Sequence, residues 1–152
     1  MEIRIGNLKD SKIISLLTAH HRDMLSHSPI ESVHALDISS LEANNVTFWS
    51  FWINNNLAGI GALKEIDSTH GEIKSMRTSP NYLRQGVAGK LLKHIINQAN
   101  IRSYERLSLE TGTMKVFKPA HKLYQQFGFK ECDPFDSYKE DPYSLFMTKI
   151  IK

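Results

Sequence analysis

The sequence contains a single cysteine, Cys132, among its 152 residues. One cysteine cannot form an internal disulfide, and no set of Cys and His residues has the spacing of a zinc site. We therefore expect Cys132 to be a small packed side chain rather than a nucleophile. Four histidines near the N-terminus have no carboxylate at a diagnostic offset, so no metal is predicted there. These are His20, His21, His27 and His34.

Long apolar runs are also lacking. No stretch is long enough to cross a bilayer, and the first residues, Met1 to Ile5, resemble a strand rather than a secretion leader. We therefore expect a cytoplasmic protein that does not bind a membrane. Acidic and basic residues are interspersed and give a net charge of +3. This bias is too weak to predict nucleic-acid binding, although it suits an anionic cofactor.

Repeats, low-complexity tracts and linkers are absent as well, and residues 1–152 are predicted to form one domain. Hydrophobic and charged contents of 41% and 23% are those of an ordinary globular protein. Apolar periodicity predicts the element order β-α-(α)-β-β-β-α-β-α-β-β. The fold class is therefore α/β (α+β), a mixed, mostly antiparallel sheet with helices on both faces.

Residues 46–63 are predicted to form a hairpin inside that sheet. Val46 to Ile53 is apolar on both faces, which is typical of a strand covered on two sides. Asn54, Asn55 and Asn56 tolerate left-handed backbone and so predict a tight turn. Leu57 to Leu63 is the expected partner strand.

Residues 72–92 combine a strand, a glycine-bearing turn and a helix. The strand Glu72 to Thr78 is followed by Arg84-Gln85-Gly86, and a helix with an apolar stripe begins near Val87. The first N–H groups of a helix lack partners, and the helix dipole places partial positive charge there. The turn is therefore a candidate phosphate cradle.

The sequence of this candidate cradle resembles a pattern of a known family. Leu83 to Ala88 fits most of the pattern Q/R-x-x-G-x-G/A and resembles the acetyl-CoA loop of GNAT-type N-acetyltransferases. Gly71 to Pro80 resembles the family's fourth strand, and Ala120 to Phe129 its A-x-x-L-Y-x-x-x-G-F helix and strand. The resemblance covers nearly the whole chain. It departs at Leu83, where Gln or Arg is usual, and at Phe117, where an Asn often contacts the cofactor.

The resemblance implies a GNAT-like acyl-CoA N-acyltransferase fold and direct attack of an amine on acetyl-CoA, without a metal. It implies cofactor contacts from the fourth strand, through its main chain, from the cradle and from Tyr124. The implied residues are Met76, Arg77, Thr78, Leu83, Arg84, Gln85, Gly86, Val87, Ala88, Gly89, Lys90 and Tyr124. A non-catalytic acyl-CoA-binding or partner-binding module on the same fold is the alternative.

Catalysis would need an acid and a base. By resemblance, Tyr124 reaches the cofactor sulfur and is the candidate general acid. The acceptor amine must lose a proton before it attacks. Glu72 is the preferred base, Glu110 on the next strand is the competitor, and water is the third possibility. Strand alternation predicts that Glu72, Lys74, Met76 and Thr78 share one face.

The acceptor is predicted only as a primary amine of a small molecule or peptide. Glu31 and His34, in the irregular segment after the first helix, are candidate acceptor-binding residues together with Glu110. Asp136 to Tyr143 could also line the acceptor side, and acidic residues would favour a cationic amine. Ordinary solvated loop charges are the alternative for these segments. A homodimer through the last strands is possible.

Overall fold

The computed structural model describes residues 1–29 and 38–152 as a seven-stranded sheet with four α-helices. The strands are β1 (Glu2–Ile5), β2 (Val46–Ile53), β3 (Asn56–Asp67), β4 (His70–Thr78), β5 (Arg106–Gly112), β6 (Lys130–Glu131) and β7 (Ser144–Ile150). The helices are α1 (Ser11–His27), α2 (Ile38–Leu41), α3 (Val87–Ile101) and α4 (Lys118–Gln126), with short 3-10 turns at Pro80–Tyr82 and Lys115–Phe117. The predicted element order and fold class are confirmed.

The sheet order is β1-β2-β3-β4-β5-β7-β6. β4 and β5 are parallel, and the other neighbouring pairs in this sheet are antiparallel. The predicted hairpin joins β2 to β3, with Asn54 and Asn55 at φ 49° and 63°. β3 continues to Asp67, beyond the predicted Leu63, because its charged second half still pairs with β4 and alternates between half-buried and exposed.

Apolar side chains cover both faces of the sheet. On one face α3 and α4 pack through Leu91, Ile95 and Tyr124 against residues that include Ile73 and Leu109. On the other face α1 and α2 pack on β2 and β3 through a second cluster. No helix within the described part of the chain is both long and apolar enough to cross a membrane.

β4 is irregular near its centre. Ser75 has a φ of 57°, and two β4 residues stand against Gly61 of β3, which is the pattern of a β-bulge. The predicted alternation is therefore wrong beyond Lys74. Met76 packs against the α3 cluster, as Ile73 does, whereas an unbroken strand would have put it on the face of Glu72.

β4 and β5 also stop pairing before either strand ends. Their register runs only as far as Ile73 opposite Leu109, yet β4 continues to Thr78 and β5 to Gly112. The main chain of residues 74–78 therefore has an edge without a β5 partner. The sheet opens at this point.

α3 begins at the end of this open edge. Gly86 is its N-cap, with a φ of 82°, and no side chain caps the helix. Adding a Cβ to Gly86 would meet nothing within 4 Å, so the backbone conformation, rather than crowding, favours glycine there. The N–H groups of the first turn are left without a side-chain acceptor, which is the arrangement predicted for the cradle.

Candidate active site

A small cavity of about 110 Å³ lies where β4 and β5 separate. It is lined by β4 and β5 and, from other elements, by α1, α4, Phe117 and Tyr138. The lining residues that carry titratable groups are His20, Glu72, Lys74, Glu110, Tyr124 and Tyr138. The chain thus brings acid, base and hydrogen-bonding groups from five segments to one place.

Glu72 and Lys74 form a buried ion pair on the wall of this cavity. The distance from Lys74 Nζ to Glu72 Oε2 is 3.1 Å, and the two side chains are 7% and 1% exposed. Tyr138 completes the network: its hydroxyl donates to the same Oε2 at 2.5 Å and accepts from Lys74 Nζ at 2.8 Å. Glu72 Oε1 is buried and has no hydrogen-bond partner among the residues that the structure describes.

Glu110 is half-buried on β5 and lines the same cavity. Burial raises the pKa of its carboxyl to about 7, and the Glu72 carboxylate adds to this. The Ser144 hydroxyl and the Lys74 ammonium act in the opposite direction. A carboxyl with a pKa near 7 is close to the optimum for a general base at neutral pH.

Tyr124 reaches the cavity from α4. Pro119 lies in the first turn of this helix, and Gly128, with a φ of 90°, follows its C-cap, Phe127. The Tyr124 side chain is 7% exposed and packs edge-on against Phe129. Burial raises the pKa of its phenol to about 12, so the hydroxyl keeps its proton at neutral pH.

His20 of α1 faces the cavity in its neutral form. Burial, aided by the nearby Arg77 guanidinium, lowers its pKa to about 4. Arg77 itself pairs with Asp23 across 2.5 Å and so fixes the end of β4 to α1. His20 was predicted as a packed or solvated histidine, and its place beside the acid and base groups had no signal in the sequence.

The phosphate cradle is exposed. Leu83, Arg84, Gln85 and Gly86 are accessible to solvent, and Arg84 has a left-handed φ of 61°. Lys90, also exposed, lies one turn into α3. Uncapped N–H groups with nearby cations suit a pyrophosphate, and the unpaired edge of β4 suits an extended arm that adds to the sheet. The residues present therefore fit coenzyme A.

The predicted site residues divide into those that line the cavity and those that lie around it. Glu72, Glu110, Tyr124 and Met76 line the cavity, whereas Arg77, Thr78 and the cradle residues do not. Glu31 and His34 lie outside the described residues. Lys74 was missed as a partner of Glu72, although its place two positions along a strand was a usable signal. Tyr138 comes from the loop before the last strand that was predicted to line the acceptor side.

The opened sheet, the uncapped helix N-terminus beside it and the cavity with Glu110 and Tyr124 are the arrangement of an acyl-CoA-dependent transferase. The model of the acetyltransferase (GNAT) family matches residues 13–129. The chain therefore belongs to this family and is an acetyltransferase.

Two relatives match over nearly their whole lengths. An uncharacterized N-acetyltransferase of Bacillus subtilis, YsnE, is 55% identical and covers 98% of this chain and 99% of its own. An uncharacterized N-acetyltransferase of Escherichia coli, YedL, is 50% identical and covers 96% and 92%. Among solved structures, a GNAT family acetyltransferase from Elizabethkingia anophelis with acetyl-CoA bound has the same fold, with a TM-score of 0.71, 20% identity and coverage of 99% and 97%.

Proposed function

We propose that this protein transfers an acetyl group from acetyl-CoA to the primary amine of a small molecule or peptide by direct attack. The observation that carries the proposal is the cavity at the opening of β4 and β5, which both Glu110 and Tyr124 line. The first is a carboxyl poised to take a proton near pH 7, and the second is a phenol that keeps its proton. Acyl transfer to an amine is assisted by a base that takes the amine proton and by a hydrogen-bond donor to the departing sulfur.

Acetyl-CoA would supply an acetyl group activated as a thioester. The main chain of Met76, Arg77 and Thr78 would hold its extended arm along the free edge of β4. The cradle from Leu83 to Lys90 would hold the pyrophosphate by its N–H groups and by cationic side chains. An N–H near Met76, redirected by the bulge at Ser75, would polarise the thioester carbonyl.

Glu110 is the base that these contacts favour. An amine with a pKa near 10 arrives protonated at neutral pH and must release one proton to expose its lone pair. Glu72 was the preferred base from the sequence, but its Oε2 is already held by Lys74 and Tyr138. Glu110 has no such ion pair within the described part of the chain, and its raised pKa matches the task.

Tyr124 would act on the sulfur side. The nitrogen lone pair forms the new bond to the acetyl carbon, the carbon–sulfur bond breaks with its electron pair on sulfur, and the second amine proton ends on sulfur. With a pKa of about 12 the phenol is a weaker acid than a thiol. Tyr124 would therefore stabilise the departing sulfur by donating a hydrogen bond to it. Any proton that the phenol gives to the sulfur would be replaced by the second amine proton, so the phenol would not stay ionised.

The proposal is tested in two steps. Acetyl-CoA at 100 times its dissociation constant should add about 2.7 kcal/mol to the free energy of unfolding, visible as a thermal shift. A panel of amines is then screened for release of free thiol. Absence of a thermal shift at millimolar acetyl-CoA would remove the cofactor assignment. A shift without thiol release for any amine would instead favour a non-catalytic acyl-CoA-binding module. A cytoplasmic location and a homodimer stay predictions.

A further inference from the structure

Glu72 carries an unused hydrogen-bond acceptor in the reaction cavity. Its side chain is 1% exposed and Oε2 takes both Lys74 Nζ and Tyr138 OH, while the buried Oε1 has no partner within residues 1–29 and 38–152. A buried carboxylate oxygen without a partner is destabilising, so such an atom is a candidate for holding a ligand. Glu72 lines the cavity of about 110 Å³, which leaves room for a small group.

The other contacts of Glu72 make it better suited to binding than to proton transfer. Lys74 neutralises its charge at 3.1 Å, and Tyr138 fixes the carboxylate plane through Oε2. A carboxylate held in this way has one oxygen, Oε1, left to accept a charge-assisted hydrogen bond from a cation.

We propose that Glu72 is the acceptor-binding carboxylate, whose Oε1 holds a protonated primary amine carried on an unbranched methylene, while Glu110 takes the proton. This inference rests on the proposed function, because it names the acceptor class of the same cavity. It assigns separate tasks to the two carboxylates on adjacent strands. Glu72 and Glu110 lie on the same face, since Glu72 is in register with Ser108, two residues before Glu110.

Charge and volume define the acceptor class. An α-amino acid would place its own carboxylate next to the reacting nitrogen, beside Glu72 and Glu110. The cavity cation, Lys74, is already paired with Glu72, and a carboxylate that lacks a cationic partner is costly to bury. A cavity of about 110 Å³ accommodates an acetyl thioester and a CH2–NH3⁺ group.

The first test measures binding of n-butylammonium by calorimetry, with coenzyme A present, to the wild type and to Glu72→Gln/Lys74→Met. The double variant keeps the net charge of the site. Tyr138 donates to the new amide oxygen, so the amide NH2 points where Oε1 was. We expect binding to weaken at least about tenfold, as a charge-assisted acceptor is replaced by a donor.

The matched control is Glu2→Gln/Arg4→Met, which removes an exposed ion pair with the same two-residue spacing on β1. Butylammonium should bind this variant as it binds the wild type. Equal binding to all three proteins, or no binding to the wild type, would overturn the proposal. Because the readout is binding, it is separate from the thiol-release assay on which the proposed function depends.

The second test compares butylamine with norvaline, which differs by an α-carboxylate. The inference requires wild-type protein to bind butylammonium at least about tenfold more tightly than norvaline, since a carboxylate beside two others is repelled. Norvaline binding as tightly as butylammonium would overturn the acceptor class. If norvaline alone lost affinity in the double variant, Glu72 would be shown to serve α-amino acids instead, which contradicts the proposal.

Discussion

Lys74 and Glu72 stand two positions apart on β4 and form an ion pair inside the protein, with 3.1 Å between Nζ and Oε2. Both side chains are less than a tenth exposed, so water does little to solvate either charge. The pair also holds Tyr138, which comes from a loop more than sixty residues further along the chain. One buried contact thus ties the C-terminal loop to the opening of the sheet.

Breaking this pair on one side is expected to be far more damaging than removing both charges. Lys74→Met leaves the Glu72 carboxylate buried without its cation and should lower the free energy of unfolding by about 3–5 kcal/mol. Glu72→Gln/Lys74→Met should recover most of that loss. Urea denaturation at pH 7.5 measures both. A double variant no more stable than Lys74→Met would show that packing, rather than charge, accounts for the loss.

Glu110→Gln is expected to reduce turnover and to remove the acidic limb of the pH profile. With a pKa of about 7, the wild-type carboxyl ionises as the pH rises from 6 to 8, so the rate should rise over that range. The glutamine variant should lose about 100-fold or more in kcat/KM, as expected for loss of a general base. An unchanged profile in this variant would transfer the role to Glu72 or water.

The same variant makes an independent prediction for stability. The pKa of Glu110 is raised in the folded state, so its protonation stabilises the folded protein relative to the ionised form. This contribution to the free energy of unfolding is fully present below about pH 4.5 and is lost as the pH rises through 7. Glu110→Gln should therefore be more stable than the wild type at pH 8, by up to about 3 kcal/mol. The difference should shrink towards pH 4. Thermal unfolding at both pH values measures it.

Local patterns were enough to predict much of this molecule. The asparagine turn between β2 and β3, the glycine before α3 and the Leu-Tyr pair of α4 are short signals that need no distant partner. The bulge at Ser75 was not predicted, because serine has no special preference for a φ of 57° and the surrounding sheet imposes it. The partnership of Tyr138 with Glu72 depends on tertiary packing. The raised pKa of Glu110 also depends on tertiary packing, since burial is the main cause of the rise.

Tyr124→Phe is expected to lower kcat about 10- to 100-fold with little change in acetyl-CoA affinity. The ring of this cavity-lining residue continues to pack on Phe129 while the hydroxyl is lost. Tyr104→Phe is the control and should turn over normally, because this buried tyrosine bonds Glu65 through its hydroxyl and does not line the cavity. Steady-state kinetics with a thermal-shift titration separate the two effects. Full turnover of Tyr124→Phe would exclude the hydroxyl as a donor.

His20 should make the protein sensitive to acid. Its pKa is lowered from 6.5 to about 4 in the folded protein, so the unfolded chain binds the proton first as the pH falls. The contribution of neutral His20 to the free energy of unfolding is complete above about pH 6.5 and declines towards pH 4, by about 3 kcal/mol in total. His20→Gln should flatten this decline, whereas His21→Gln, at an exposed neighbour, should not. Identical slopes for the two variants would show that the acid sensitivity arises elsewhere.

Gly86 and Gly6 form a matched pair for testing the cradle. Both have a left-handed φ, 82° and 73°, and an added Cβ would meet nothing within 4 Å at either position. Alanine at either site should therefore cost a similar 1–2 kcal/mol or so of backbone strain. Only Gly86→Ala changes the turn that opens α3, so it alone should weaken acetyl-CoA binding, by about tenfold. Calorimetric titration of both variants with acetyl-CoA tests this. If the two variants bound acetyl-CoA equally tightly, the N–H groups after Gly86 would not hold the pyrophosphate.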